Sequence, residues 1–392
     1  MKKIILSIAA VAAVAACSPK QETMEQLAQR VFDVAQQQCT YLDSQTPEGE
    51  VACHYDHLGK YKFSGITDWV SGFFPGTCWI LYEQTGNEAM KALAEKHTLK
   101  LADLTAPGTV THHDIGFMVN CSYGKAYEAT GDEKYLPEIK DAAVILSGRY
   151  NPTVKCIMSW NPNSKWQYPV IIDNMMNLEL LCNAADKFGL DSLRDIAVTH
   201  AETTMANHFR PDYSSYHVVS YIPETGEVEK KNTWQGLSDD SCWSRGEAWG
   251  LYGYTMMYRM TGKEEFLAQA EKIAGYILAH LPEDGIPFWD YDSPCIPDTF
   301  VDSSAGAIMA SAFVELSTLT KDTAKKGEYL RTAEKEIRTL ASDKYLAQPG
   351  KNGGFLIRHG VGALSLNSQI DVPLSYGDYY FLEAIARYLA LK

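Results

Sequence analysis

One phrase recurs along this chain, and it constrains the fold more than any other feature. Tyr82-Glu83-Gln84-Thr85-Gly86-Asn87-Glu88 is echoed by Tyr127-Glu128-Ala129-Thr130-Gly131-Asp132-Glu133 and by Tyr258-Arg259-Met260-Thr261-Gly262-Lys263-Glu264. Each copy closes an apolar stretch and opens an amphipathic one. Glycine stops the first helix and the polar residue behind it starts the next, so each copy marks the corner of a helix hairpin. Looser versions span residues 185–193 and 316–323. The stretches before the corners are poor in charge and rich in aromatic, Gly, Ala and Met residues: 73–82, 117–127, 175–184, 248–258, 305–316 and 379–391. The stretches after them, such as 264–278 and 326–340, are amphipathic. A helix apolar all round is buried, and an amphipathic one lies outside it. Six inner and roughly six outer helices predict an all-α chain folded as an (α/α)6 toroid, a six-hairpin barrel in a single domain. Strand signals are few, chiefly 216–222 before the turn Pro223-Glu224-Thr225-Gly226.

An aspartate lies at or near the start of each inner stretch: Asp68, Asp114, Asp173, Asp239 or Asp240, Asp302 and Asp371. Each one alone reads as an N-cap, favoured by the positive end of a helix dipole. In a toroid of hairpins, however, all inner helices point the same way, so these carboxylates gather at one mouth. The loops entering that mouth contain Trp69, His112, His113, Trp160, Trp166, His217, Trp234, Gln235, Trp243 and Arg245. Aromatic faces, carboxylates and a few fixed donors suit a sugar, whose C–H faces stack on rings while its hydroxyls bond to polar groups.

The formal net charge of −14 argues against nucleic acid as a partner. It does not exclude an anionic sugar, because one arginine can hold one carboxylate. At the N-terminus, Lys2 and Lys3 precede an apolar, small-residue run too short to span a bilayer comfortably, ending in Val14-Ala15-Ala16-Cys17. This resembles a bacterial lipobox. It predicts a lipoprotein signal peptide over 1–16, a tether over 17–24 beginning at a lipidated Cys17, and a catalytic domain over 25–392. The expected location is the cell envelope, facing the periplasm, with the membrane touched only through the lipid. The remaining cysteines, Cys39, Cys53, Cys78, Cys121, Cys156, Cys182, Cys242 and Cys295, show no C-x-x-C or zinc spacing and are expected to be mostly free, buried thiols.

Four stretches resemble the unsaturated glucuronyl hydrolases of glycoside hydrolase family 88. They are His112-His113-Asp114-Ile115-Gly116-Phe117, Ile172-Asp173-Asn174-Met175-Met176-Asn177, Trp243-Ser244-Arg245-Gly246-Glu247-Ala248-Trp249-Gly250 and Gly377-Asp378-Tyr379-Tyr380-Phe381-Leu382-Glu383-Ala384. The resemblance implies an (α/α)6 fold and an unusual hydrolysis. The C4=C5 bond that polysaccharide lyases leave in a terminal uronic acid is hydrated, and the resulting hemiketal opens and releases the remaining oligosaccharide. No metal or organic cofactor is implied. By similarity Asp173 is the acid and base, and Asp114 stays ionised and fixes the ring. Arg245 is the partner of the uronate carboxylate, and His217, Gln235 and His113 contact the sugar. Trp69, Trp160 and Trp243 are its stacking platforms. The apolar neighbours Ile171, Ile172, Met175 and Met176 favour a proton-bearing Asp173 if they surround it in space.

Two departures stand out. Glu247 replaces a glutamine of the family pattern, which would set a second carboxylate near Arg245. The segment 361–374 contains no Lys or Arg, with Arg358 and His359 just before it. Three other readings compete: an unsaturated rhamnogalacturonyl hydrolase acting on pectin fragments, a non-catalytic glycan-binding lipoprotein, and a conventional two-carboxylate glycosidase.

Overall fold

In the computed structural model, which describes residues 21–391, the hairpin corners have the backbone their glycines allow. Gly86, Gly131, Gly189 and Gly262 take φ between 65° and 68° at the ends of apolar helices. Asn87 and Asp132 then accept backbone N–H groups of the segments that follow. The helices in chain order are α1 (Met24–Gln45), α2 (Phe73–Thr85), α3 (Glu88–Leu99), α4 (Ile115–Val119), α5 (Lys125–Thr130) and α6 (Leu136–Ser147). They continue as α7 (Asn174–Phe188), α8 (Asp191–Asn207), α9 (Ser244–Thr261), α10 (Glu264–His280), α11 (Ser303–Leu319), α12 (Thr323–Leu340) and α13 (Ser375–Leu389). The inner ring closes as α2 on α5, α4 on α7, then α7 on α9, α9 on α11, α11 on α13 and α13 back on α2. Helices α1, α3, α6, α8, α10 and α12 lie outside it, so the toroid expected from the repeats is the fold observed.

The inner helices approach closely where glycine removes the side chain. A Cβ on Gly116 would stand 2.4 Å from Asn177 Oδ1 of α7, and one on Gly253 would stand 2.5 Å from Met175 Cβ. The expected inner helix 117–127 is not one α-helix. A π-helical turn, Asn120–Gly124, joins α4 to α5. It sets Asn120 against α7, where its Nδ2 donates to Glu179 (3.1 Å) and its Oδ1 accepts from Asn183 (3.3 Å). Hydrophobic period alone cannot register this one-residue widening.

Short strands serve the mouth. β1 (Val51–Tyr55) pairs with β2 (Tyr61–Ser64), and β3 (Tyr150–Asn151) with β4 (Cys156–Ile157). β5 (Pro169–Ile171), β6 (Val218–Tyr221) and β7 (Val228–Asn232) form an antiparallel sheet, with β6 inside the expected strand 216–222. Ile171 pairs with Val218, so the sheet delivers Asp173 and His217 side by side.

Several sequence expectations change. Asp302 is a true N-cap, accepting from Ser304 N, but Trp243 precedes α9 and Leu374 precedes α13. Asp239 instead accepts from Asn232 and Thr233, Asp371 pairs with His359 at 2.6 Å, and Asp68 accepts from Val70 N ahead of α2. Cys17 and the expected signal segment lie outside the described residues. Where the described residues begin, Thr23 and Gln26 make a capping box for α1 and Glu22 pairs with Arg30 at 2.8 Å. The eight cysteines after residue 20 are free, seven of them buried and Cys295 exposed. Among the described residues, no helix is long and apolar enough to cross a membrane.

Candidate active site

The starts of the inner helices surround one pocket of about 300 Å³. Trp69 reaches it from the turn before α2, Asp114 from the start of α4, Asp173 from the start of α7, Arg245 from the first turn of α9 and Tyr376 from the first turn of α13. Asp302, at the start of α11, stands behind it and pairs with Arg245 at 2.7 Å. The other wall is the segment 359–372, closed on itself by Gly360–Val372 and Ala363–Ser368 bridges. It contributes Gly362, Ala363, Leu366, Ser368 and Gln369.

Asp173 is buried at the pocket floor, and its Oδ2 has no hydrogen-bond partner among the described residues. Burial, together with the nearby charge of Asp114, raises its carboxyl to about 7, against the opposing pull of Arg245. Asp114 behaves oppositely. Burial works to raise it, but its contacts with His113, His112 and Asn177 prevail and hold it below the ordinary aspartate value. The distances are 3.3 Å to His113 Nε2 and 3.2 Å to His112 Nδ1. Two carboxyls in one pocket are thus poised as one acid and one anion, the division of labour that acid–base chemistry requires.

Two histidines behind them have assigned tautomers. His217 Nδ1 accepts the backbone N–H groups of Trp234 (3.1 Å) and Gln235 (3.2 Å), so its proton sits on Nε2, 3.7 Å from Asp173 Oδ2. Burial pushes His217 down to about 3, and it is uncharged at neutral pH. His113 Nδ1 faces Asn177 Nδ2 at 3.1 Å, which turns His113 Nε2–H toward Asp114. Asn177 Oδ1 also accepts from Phe117 N at 2.8 Å, tying the start of α4 to α7.

Residues 45–388 match Glycosyl Hydrolase Family 88. The chain belongs to that family. It is 45% identical over 324 residues to an unsaturated glucuronyl hydrolase of Formosa agariphila, covering 82% of this chain and 80% of that one. It is 32% identical over 369 residues to an unsaturated chondroitin disaccharide hydrolase of Streptococcus pneumoniae, covering 93% and 92%. A crystal structure of an unsaturated glucuronyl hydrolase specific for heparin superposes with a TM-score of 0.90 at 44% identity, covering 94% of this chain and 98% of that one.

Of the residues that the family resemblance singles out, Asp173, Asp114, Trp69, Trp160, Gln235 and Arg245 line the pocket. His217 lies just beneath its surface. His113 and Trp243 do not line it. His113 is fully enclosed behind Asp114, so it orients that carboxylate rather than meeting a sugar. Trp243 is buried under His217 (ring centres 4.6 Å apart) and under the Arg245 guanidinium (4.4 Å), and it serves as their support rather than as a platform.

Arg245 is also more occupied than expected. It is 1% exposed and donates to Asp302 and to the carbonyls of Val361 and Gly362. The carboxylate paired with it is thus Asp302 rather than Glu247. Glu247 accepts from Ser215 N at 2.9 Å and from Cys242. Tyr376 escaped the sequence reading, which noted Ile171 only as an apolar neighbour of Asp173 and segment 361–374 only for its lack of Lys and Arg. Tyr376 adjoins the Gly377-Asp378 motif, and Asn177 lies within the Asp173 motif, so both carried a signal.

Proposed function

We propose that this pocket removes the terminal 4,5-unsaturated uronic acid from lyase-generated oligosaccharides by hydrating the C4=C5 bond. The observation that carries the reading is Asp173: a buried carboxyl raised to about 7, its Oδ2 without a hydrogen-bond partner among the described residues, beside an ionised Asp114. Protonating C4 of an enol ether needs an acid, and adding water at C5 needs a base. Asp173 gives its proton to C4, positive charge develops at C5 and the ring oxygen, and the Asp173 carboxylate then takes a proton from the water that bonds to C5. The hemiketal opens and the glycosidic oxygen leaves with the second sugar. Asp114 accepts hydroxyl hydrogens and holds the ring. Trp69 and Trp160 flank its faces. Gln235, the His217 Nε2–H and the free N–H groups of Arg245 supply donors for the uronate.

The relatives named for chondroitin disaccharides and for heparin support glycosaminoglycan fragments as the source rather than pectin. The test is incubation with lyase disaccharides from hyaluronan, chondroitin, heparin and pectin, following loss of the ultraviolet absorbance of the conjugated double bond. In heavy water, deuterium is expected at C4, and oxygen from labelled water at C5. Label entering at C1 instead, with no deuterium at C4, overturns the reading in favour of an ordinary glycosidase. Tight binding without turnover makes the protein a binder.

The lipobox-like Val14-Ala15-Ala16-Cys17 supports export and anchoring through a lipidated Cys17, with the domain facing the periplasm. Cys17→Ala in the full chain is expected to shift the protein from the membrane fraction to the soluble one. Unchanged fractionation removes the anchor.

A further inference from the structure

Beyond the pocket floor, an aromatic wall runs outward. Trp160 and Trp234 line the pocket, and Trp166 is buried between them, with ring centres 5.6 Å from each. The loop that carries Trp166 is tightly built. Asn163 N donates to Trp166 O (3.0 Å), and Asn163 Oδ1 accepts from Lys165 N (2.8 Å) and Trp166 N (3.3 Å). Trp166 Nε1 is itself anchored on Asn232 Oδ1 at 3.2 Å. This loop holds the exposed Lys165 with its ammonium 4.0 Å from the centre of the Trp234 ring and 5.8 Å from that of Trp166. Among the described residues, no carboxylate pairs with it.

The charge balance of the mouth makes this position informative. Among the described residues lining the pocket, Arg245 is the only cation, and it is engaged by Asp302 and two carbonyls. The opposite wall, 361–374, has no Lys or Arg. A sugar following the unsaturated uronate, stacked along the tryptophan wall, therefore meets Lys165, a cation with no carboxylate partner among the described residues, cushioned on the wall itself. An ammonium over an indole face keeps part of its stabilisation while its N–H groups stay available to an oxyanion.

We propose that Lys165 is a specificity-determining residue that receives an oxyanion, such as a sulfate ester, carried by the sugar following the unsaturated uronate. This rests on the hydrolase reading above. Lys165→Met keeps the apolar stem over Trp234 and removes the charge. The kcat/KM values of wild type and Lys165→Met are compared on three unsaturated substrates: an unsulfated disaccharide, the same disaccharide O-sulfated on the hexosamine, and an unsulfated tetrasaccharide whose next charge is a carboxylate. The ratio of sulfated to unsulfated kcat/KM is expected to fall about fivefold in the variant, the scale of one partly exposed charge contact, with the difference shrinking as salt rises. A fall confined to the tetrasaccharide assigns Lys165 to the carboxylate instead of the sulfate. An equal change on all three substrates, or no change on any, overturns the proposal. Turnover of the unsulfated disaccharide by the wild type reports on the hydrolase reading separately. Calorimetric Kd values for the same substrates, with and without Lys165→Met in an Asp173→Asn background, read the Lys165 contact even without turnover.

Discussion

Asp173 can donate a proton only while it holds one, and its environment decides when that is. With its carboxyl raised to about 7 and Asp114 held below its ordinary value, the competent pair is a protonated Asp173 beside an ionised Asp114. The expected kcat/KM profile is flat through mildly acid pH and falls about tenfold per unit above 7. A rate that keeps rising through pH 8 excludes Asp173 as the acid. Asp173→Asn should lose about 10²–10⁴ in kcat while retaining most of its substrate affinity. The same substitution bears on stability. A carboxyl raised on folding contributes stability below its unfolded value near 4, and that contribution is lost as pH rises toward 7. At pH 8 the folded protein bears the full cost of a buried charge. Asp173→Asn removes it and should raise Tm there, a trade of activity against stability. A lowered Tm at pH 8 contradicts the burial argument.

At the scale of elements, the site depends on how closely α7 and α9 pack, because the first carries Asp173 and the second Arg245. Their contact is backbone against side chain at Gly253, where an added Cβ would stand 2.5 Å from Met175 Cβ. Neither atom lies at the end of a flexible chain, so Gly253→Ala must push the helices apart. The expected cost is about 1–3 kcal/mol, read as a lower urea midpoint, with a fall in kcat as Asp173 and Arg245 lose register. An unchanged midpoint would mean that the two helices tolerate a wider spacing than the structure implies. The 359–372 wall is held differently, by Arg245 on its carbonyls and by Gln235 Nε2 donating to Gly362 O at 3.1 Å. Arg245→Lys cannot replace a planar fork on three acceptors. It should raise KM and also increase hydrogen exchange across 359–372. A change in KM alone would confine Arg245 to the substrate.

Across the whole molecule, the two ends of the barrel have opposite characters. The mouth gathers helix N-termini. The far end carries charges from successive inner helices, with Arg259 of α9 2.5 Å from both Glu179 of α7 and Glu315 of α11. Glu315 also meets Arg387 of α13 at 3.0 Å. These pairs are partly exposed, and their worth lies between that of surface pairs and that of fully buried ones. Glu315→Gln leaves two arginines short of a partner and should cost about 2 kcal/mol, measured by denaturant unfolding, with KM unmoved because the mouth is at the other end. A marked rise in KM would show that the two ends are coupled.

The hairpin corners, the inner and outer helices apart from the π-helical turn at 120–124, and the mouth carboxylates Asp114, Asp173 and Asp302 were legible in the sequence because each is local. A glycine stops a helix, periodicity sorts its faces, and an aspartate near a helix start goes wherever that start goes. What could not be read is everything decided between segments far apart in the chain. The partner of Arg245 is Asp302, 57 residues away, and its other acceptors are carbonyls more than a hundred residues away. Trp243 and His113 bear the residue types of a sugar site, yet tertiary packing turns them inward, one to support and one to orient. Residue type and spacing say which groups can do chemistry. Whether a given ring or guanidinium faces substrate or faces protein depends on burial, and burial is a property of the closed ring of helices alone.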